Sequence, residues 1–425
     1  MNPRSRDSAA AVEDIGRDDQ PLDICSAIFT DSDQGGILAR AERFSRKVPP
    51  RLAEAFHLII DEMLSPVMAV TGGRRTILFG TNSYLGLNFH PDCIKAATSA
   101  VQRFGTGSTA SRVAGGTSHM HAELERDLSR FYNRRHAIVY STGFMANLGV
   151  ISALVRPGDA VFLDAHCHAS IIDAANLSGA EVHFFRHNDA GDLNGLFLRT
   201  PIPGARVLLA VEGLYSVSGD IAALNELLLV ARRHDAVTLV DEAHSFGIYG
   251  TYGRGVAEHL DAESLVDIVV GTLSKSAGVI GGFSVTGREE LRDLCLRARS
   301  YLYTASLPPG VVAAASKSLH VMQTEPMWRR QLWQNTAQLR GAFEGAGIKF
   351  SGSGPIGRIP VKLHAATDIW HALMERGIYV NLLFPPSTPD GKAALRLSVS
   401  AGHSSADIAE AVAAITHVLK ERHLV

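Results

Sequence analysis

The 425-residue chain has only four cysteines, Cys25, Cys93, Cys167 and Cys295, far apart and without a CxxC pair. That spacing gives neither a zinc knuckle nor a disulfide framework and fits a reducing, cytoplasmic setting. No apolar run approaches the roughly 18 residues that a membrane helix needs. The N-terminal stretch MNPRSRDSAAAVEDIGRDDQPLD lacks the apolar segment of a signal peptide. Excess charge is missing too: 41 Lys and Arg stand against 43 Asp and Glu, a formal net charge of -2. This leaves no electrostatic footprint for nucleic acid or an anionic bilayer, although peripheral membrane contact stays open. GKS and GKT are absent, which argues against a nucleotide P-loop; GxSxG and HExxH are absent, which removes the serine-hydrolase and zinc-protease readings.

What is present is apolar. Hydrophobic residues make up 46% of the chain and charged residues 20%, so sizeable buried cores are expected, in two or three units at this length. Residues 1 to about 35 read as a polar tail, followed by helical pieces in ILARAERFSRKVPPRLAEAFHLIIDEM, interrupted by Pro49 and Pro50. Further on, short apolar runs (HAIVY, AVFLD, VHFF, RVLLAVEG, AVTLVDE, DIVVGT) alternate with helical stretches such as NELLLVARRH. Nearly continuous apolar strands between helices indicate an α/β fold with a mostly parallel sheet covered on both faces. After about residue 305, two long helical stretches, the strand-like IGRIPVKL, YVNLLF and ALRLSVS, and a final helix suggest a smaller α+β domain. The expected division is a tail and helical segment over 1–75, a large domain over 76–305 and a small domain over 306–425.

The candidate chemistry lies where strands end. Lys275 in GTLSKS follows DIVV; a lysine there can be desolvated, lowered in pKa and made a Schiff-base amine, although alone it is equally a surface turn. Asp241 closes AVTLV, where an acid can meet a protonated pyridine nitrogen or merely cap a turn. AVFLD delivers Asp164, His166 and His168; a metal reading of the three lacks a fourth ligand, and an imidazole stacked on a flat ring suits the other strand ends better. In YSTGFMANLGVISAL a strand runs through Gly143 into a helix, whose free N–H groups favour phosphate.

In order and spacing, NSYLGL, GSTASRVAGGTSHMHAELE, STGFMANLG, DAHCHASI, VEGLYSVSGD, VDEAHSFGIYG, GTLSKS, YTASLPP and LRLSVS resemble the α-oxoamine synthase family of fold-type I pyridoxal-phosphate enzymes. The likeness runs from about residue 82 to 403. It implies a homodimer with shared active sites in which Lys275 carries pyridoxal 5'-phosphate and then takes the α-proton. Asp241 would pair with the pyridinium nitrogen, His168 would stack on the ring and touch the substrate carboxylate, and His244, with Ser216 a weaker neighbour, would sit near the phenolic oxygen. Gly143, Phe144, Thr272 and Ser274 would bind phosphate, joined by Thr304 from the other subunit; Arg396, Asn82 and Tyr84 would face the substrate.

Within the family, the likeness is greatest to members that join L-serine to a long-chain acyl-CoA, releasing CoA and carbon dioxide and making a 3-ketodihydrosphingosine-like aminoketone. Phe384 departs from those members, which usually carry an Arg before the PP of the PPxTP motif. That leaves room for glycine or alanine with another acyl thioester, on CoA or an acyl carrier protein, as in the 8-amino-7-oxononanoate, 2-amino-3-ketobutyrate and 5-aminolevulinate synthases. An aminotransferase, a lyase or a non-catalytic subunit are the more distant readings.

Overall fold

The computed structural model describes residues 50–422 except 201, 203–205, 386 and 389. The polar tail and the first of the helical pieces lie outside the described residues. The helix Pro50–Phe56 starts at the proline, where a missing N–H costs nothing. Helical periodicity does not carry on through HLIIDEM as expected. The chain leaves the helix at His57 and forms a ribbon of β1 (Glu62–Ser65), β2 (Met68–Thr71) and β3 (Arg74–Leu78), with β1–β2 and β2–β3 antiparallel. Pairing of Met63 with Ala69 and of Val70 with Arg75 overrides the local pattern, and Pro66 forbids helix just beyond it.

A seven-stranded sheet forms the centre, in the order β4-β10-β9-β8-β7-β5-β6. Its strands are β4 (His136–Tyr140), β5 (Ala160–Asp164), β6 (Glu181–Phe185), β7 (Val207–Glu212), β8 (Val237–Asp241), β9 (Ile268–Thr272) and β10 (Gly282–Thr286). All neighbours are parallel except β10, which runs antiparallel to both β4 and β9. Alternate residues enter two cores: Val139, Phe162, Leu209, Val240 and Val269 on one face, and Ile138, Leu163, Leu208, Leu239 and Ile268 on the other. Double burial explains why these strands are apolar throughout, and each large side chain so buried contributes about 1.5–3 kcal/mol. Three further strands form an antiparallel sheet in the order β11 (Ile356–Val361), β14 (Ala393–Ser398) and β13 (Asn381–Leu383).

The arrangement has a chemical consequence. Because the strands are parallel, Asp164, Glu212, Asp241 and Thr272 all finish on one edge, the edge on which open α/β sheets bind ligands. The helix Gly143–Leu154, which follows β4, begins on the same edge. The segments just before and well after the sheet then close over it. β12 (Ile378–Tyr379) pairs in parallel with β3, Ser398 N donates to Phe79 O and Ala401 N to Tyr84 O, each at 2.7 Å, and the rings of Phe79 and His403 stack at 4.0 Å.

Gly282 stands where β10 passes that helix start. A Cβ there would meet the Thr142 carbonyl, which accepts the helix's first hydrogen bond from Ala146 N, and would lie 2.6 Å from Gly143 N. The expected effect of Gly282→Ala is a loss of about 1–3 kcal/mol, as for other overpacked sites, read as a lower Tm in thermal unfolding. An unchanged Tm would contradict this packing.

Candidate active site

At the strand ends a cavity of about 270 Å³ is lined by Thr142, Gly143, Phe144, Asn147, His168, Ser170, Glu212, Asp241, Ala243, His244, Thr272, Ser274 and Lys275. Eight of the thirteen residues to which the resemblance gives a role meet here: Gly143, Phe144, His168, Asp241, His244, Thr272, Ser274 and Lys275. A larger cleft of about 1240 Å³ runs between the loop after Ile248 and the helix Met327–Gly345, with Arg329, Arg330, Glu258 and Asp261 among its lining. It shares no residue with the strand-end cluster, and no residue to which the resemblance gives a role lines it.

Lys275 reaches the cavity just past β9. Burial pushes its amine down to about 8, with Arg396 pushing the same way, while the carboxylates of Asp241 and Glu212 pull it back up. Asp241 is 5% exposed and is held by neutral donors, Asn147 Nδ2 at 2.6 Å and Ala243 N at 2.8 Å. Asn147 Nδ2 also donates to Ser170 Oγ at 3.0 Å, and Ser170 Oγ lies 2.8 Å from His168 Nδ1. His168 Nδ1 also caps the helix Ala169–Ser178 by accepting from Ser170 N at 3.2 Å. A nitrogen that accepts carries no proton, and burial likewise keeps this histidine's pKa low. Glu212, 3% exposed, accepts from His168 N at 2.5 Å, and burial, with Asp241 nearby, holds its pKa well above the usual carboxylate range.

Also lining the cavity, the helix Gly143–Leu154 opens with Thr142 as N-cap, accepting from Met145 N at 3.0 Å. The N–H groups of Gly143 and Phe144 lie in that first turn, where helices leave donors unsatisfied. A Cβ on Gly143 would press on Thr272 at 2.9 Å. Thr272 Oγ1 donates to Gly281 O at 2.9 Å and lies 2.8 Å from Ser274 Oγ. The wall is therefore a cradle of donors and hydroxyls without a carboxylate, suited to phosphate.

His244 is buried, and burial followed by the charges of Lys275 and Arg396 drives its pKa well down. Its Nδ1 lies 2.8 Å from the hydroxyl of Tyr84, which is itself 3.2 Å from Asn82 Oδ1. Burial raises that tyrosine to about 12, against the opposing charge of Arg396. Arg396, 6% exposed, donates through Nε to Ser216 O at 2.7 Å, through one terminal nitrogen to Asn381 Oδ1 and Ser398 Oγ, and through the other to Asn82 Oδ1 at 3.1 Å. Every one of these acceptors is neutral, and no carboxylate among the described residues forms an ion pair with this guanidinium. Asn82, Tyr84, Ser216 and Arg396 thus form a second cluster, joined to the cavity through His244.

Thr304 lies elsewhere, in a cleft with Arg112, His121, Ser141 and Tyr301. Asp164, His166 and His168 do not come together as a trio: His168 faces the cavity, while Asp164 and His166 group instead with His187. Both ring nitrogens of His187 already face carboxylates. Asn147, Ser170 and Glu212 escape the motif reading. A lone Asn inside the apolar GFMANLGVISAL, four residues after Gly143, is the one sequence signal that points to a buried polar contact.

Residues 74–415 match the family "Aminotransferase class I and II". The serine palmitoyltransferases of Sphingomonas paucimobilis and Caulobacter vibrioides are 43% and 45% identical to this chain, over 88% and 84% of it and 89% of each relative. The 8-amino-7-oxononanoate synthase of Saccharophagus degradans is 41% identical over 82% of this chain and 88% of the relative. Among solved structures, the serine palmitoyltransferase of Sphingomonas wittichii has a TM-score of 0.86 at 40% identity, covering 92% of this chain and 97% of that one. A serine palmitoyltransferase with PLP as its internal aldimine has a TM-score of 0.85 at 40% identity over 92% of this chain and 98% of that one. The chain belongs to the aminotransferase class I and II family of pyridoxal-phosphate enzymes, on the α-oxoamine synthase branch to which the serine palmitoyltransferases belong.

Proposed function

We propose that this chain condenses L-serine with a long-chain acyl-CoA, giving a 3-ketodihydrosphingosine-like aminoketone, CoA and carbon dioxide. The observation that carries the proposal is Arg396: a buried guanidinium bonded only to neutral acceptors has its charge left for a substrate carboxylate. The likeness to serine palmitoyltransferases, at 43% and 45%, favours serine. The second reading, another amino acid and another acyl thioester, draws on Phe384. It is buried and packs edge-on to Phe56 with ring centroids 6.1 Å apart, so it brings no charge to the carboxylate.

The cavity fits pyridoxal phosphate on its own chemistry: an enclosed amine, a buried carboxylate opposite it, and an anion cradle along one wall. We assign Lys275 to the aldehyde carbon, Asp241 to the ring nitrogen, the face of His168 to the ring and His244 to the phenolic oxygen, with Ser216 nearby. Gly143, Phe144, Thr272 and Ser274 take the phosphate, and Thr304 reaches it from a second copy, so the working unit is a homodimer. Bound there, the cofactor supplies an electron sink for the charge left at the amino acid's Cα.

The chain's own groups do the rest. Arg396, steadied by Asn82 and Ser216, orients the carboxylate, and Tyr84 stands beside it through Asn82. Lys275 Nζ, with a pKa of about 8, moves the proton from Cα near neutral pH. Cα then bonds to the thioester carbonyl as the C–S bond breaks and the thiol leaves with a proton. The bond from Cα to carboxylate breaks next, and Cα regains a proton as carbon dioxide departs. The buried thiols of Cys93, Cys167 and Cys295 accord with a cytoplasmic site for this work; among the described residues, no helix is long and apolar enough to cross a membrane.

Three outcomes are expected. The visible absorbance of the holoenzyme should respond saturably to serine, and acyl-CoA should then release thiol and carbon dioxide together; a response to glycine or alanine alone would favour the second reading. Arg396→Lys should raise the KM for serine roughly 10- to 100-fold, the weight of a charge-assisted hydrogen bond, and an unchanged KM would remove the anchor. In cofactor-free protein, labelling of Lys275 by trinitrobenzenesulfonate should rise with pH through a midpoint near 8. Asp241→Asn should lower that midpoint, because the lost carboxylate favours the ammonium form. A wild-type midpoint at the ordinary 10.5 would contradict the enclosed amine.

A further inference from the structure

Outside the cavity, His187 is held between two carboxylates. Its Nδ1 lies 2.8 Å from Asp164 Oδ1 and its Nε2 2.7 Å from Asp220 Oδ2. An imidazole can donate from both nitrogens only as the cation. Burial opposes that charge, but the hydrogen bonds and charges of Asp164 and Asp220 outweigh it and raise the pKa to about 9. The ring is fixed as well: His166 stacks on it at 3.8 Å, and Tyr215 meets it edge-on at 4.6 Å.

The two carboxylates belong to different parts of the fold. Asp164 ends β5 and is fully buried, with both oxygens engaged by His166 N, Asn188 N and His187. Asp220 belongs to the loop after β7, which closes on itself through Tyr215 N to Asp220 O and Gly219 N to Tyr215 O, each at 3.0 Å. Asn188 adds a second tie to this loop: its Nδ2 donates to Asp220 Oδ2 and Ile221 O at 3.1 Å, and its Oδ1 accepts from Ala223 N at 3.0 Å. Between Tyr215 and Gly219 the loop presents the Ser216 carbonyl, which receives Arg396 Nε.

We infer that His187, clamped between Asp164 and Asp220, is a positioning residue that sets the direction of the Arg396 guanidinium by fixing the Ser216 carbonyl. The inference rests on the reading of Arg396 as the carboxylate anchor. Nε is the branch of the guanidinium nearest its stem, so holding it in place sets the plane of the fork. Four of the five N–H donors are taken, so the direction of the one left for a carboxylate depends on that plane. The clamp acts on amino-acid binding and leaves proton transfer at Lys275 untouched.

The test compares His187→Gln, Asp220→Ala and Asp220→Asn holoenzymes, with Arg396→Lys alongside, in KM for the amino acid, KM for acyl-CoA, kcat and Tm. His187→Gln and Asp220→Ala should each raise the amino-acid KM about 10-fold, the weight of one lost hydrogen bond, with kcat and the acyl-CoA KM within about twofold. Asp220→Asn, which keeps an oxygen facing Nε2, should recover most of that loss. The inference fails if the amino-acid KM does not move while Arg396→Lys raises it. It also fails if both KM values and kcat shift together with Tm, or if Asn serves no better than Ala at position 220. Should Arg396→Lys itself leave KM unchanged, the anchor reading falls and takes this inference with it. If His187→Gln fails to fold, the contrast between the two Asp220 variants decides the question.

Discussion

A guanidinium withdrawn from water and given no carboxylate is a costly arrangement, since desolvating one ion costs several kcal/mol. At Arg396 only amide, hydroxyl and carbonyl oxygens offset that cost, and they come from Asn82, Ser216, Asn381 and Ser398, four separate stretches of chain. The early NSYLGL segment, the loop after β7 and two C-terminal strands are therefore ordered around one positive charge. The same charge spreads inward, pushing down the pKa of Lys275 and of His244. Asp241 and Glu212 pull Lys275 the other way. The amine's readiness near neutral pH is thus a balance between burial, one arginine and two acids.

The parallel sheet makes that balance possible. Four strands end in Asp164, Glu212, Asp241 and Thr272 on a common edge, so residues up to 108 positions apart converge without long excursions. The helix Gly143–Leu154 contributes from both ends of its first turn and a half: the N-terminus faces the anion cradle, and Asn147 ties Asp241 to Ser170 and so to His168. One short helix thereby serves two walls of the cavity.

Much of this is legible in the sequence because its cause is local. Strand ends announce themselves as apolar runs that stop at a polar residue, which is how Asp241, Thr272 and Lys275 can be read. The cradle is readable because a glycine opens an apolar helix after a strand. Asn147 and Glu212 are harder, because their roles depend on which strands become neighbours. His187 is harder still: nothing in VHFFRHND predicts that Asp220, 33 residues on, folds back against it. The stretch HLIIDEM misleads for a related reason. Its helical spacing is real, but Ile59 and Ile60 stay exposed while Glu62 and Met63 pair into the ribbon, and local preference yields to that pairing.

The meeting of the Phe79–Tyr84 and Ser398–His403 segments at the sheet edge has a bearing on biogenesis. Phe79 and Tyr84 receive backbone hydrogen bonds from Ser398 and Ala401, and Phe79 stacks on His403. Ser398 to His403 are made more than a hundred residues after the last strand of the seven-stranded sheet. The seven-stranded sheet, complete by Thr286, has its strands available far earlier. During synthesis, the Asn82 and Tyr84 segment must wait with its partners missing while more than a hundred residues are added, a long loop to close before these contacts form. The strand-end residues around Lys275 are thus made well before Arg396, and only a chain extended past β14 has both.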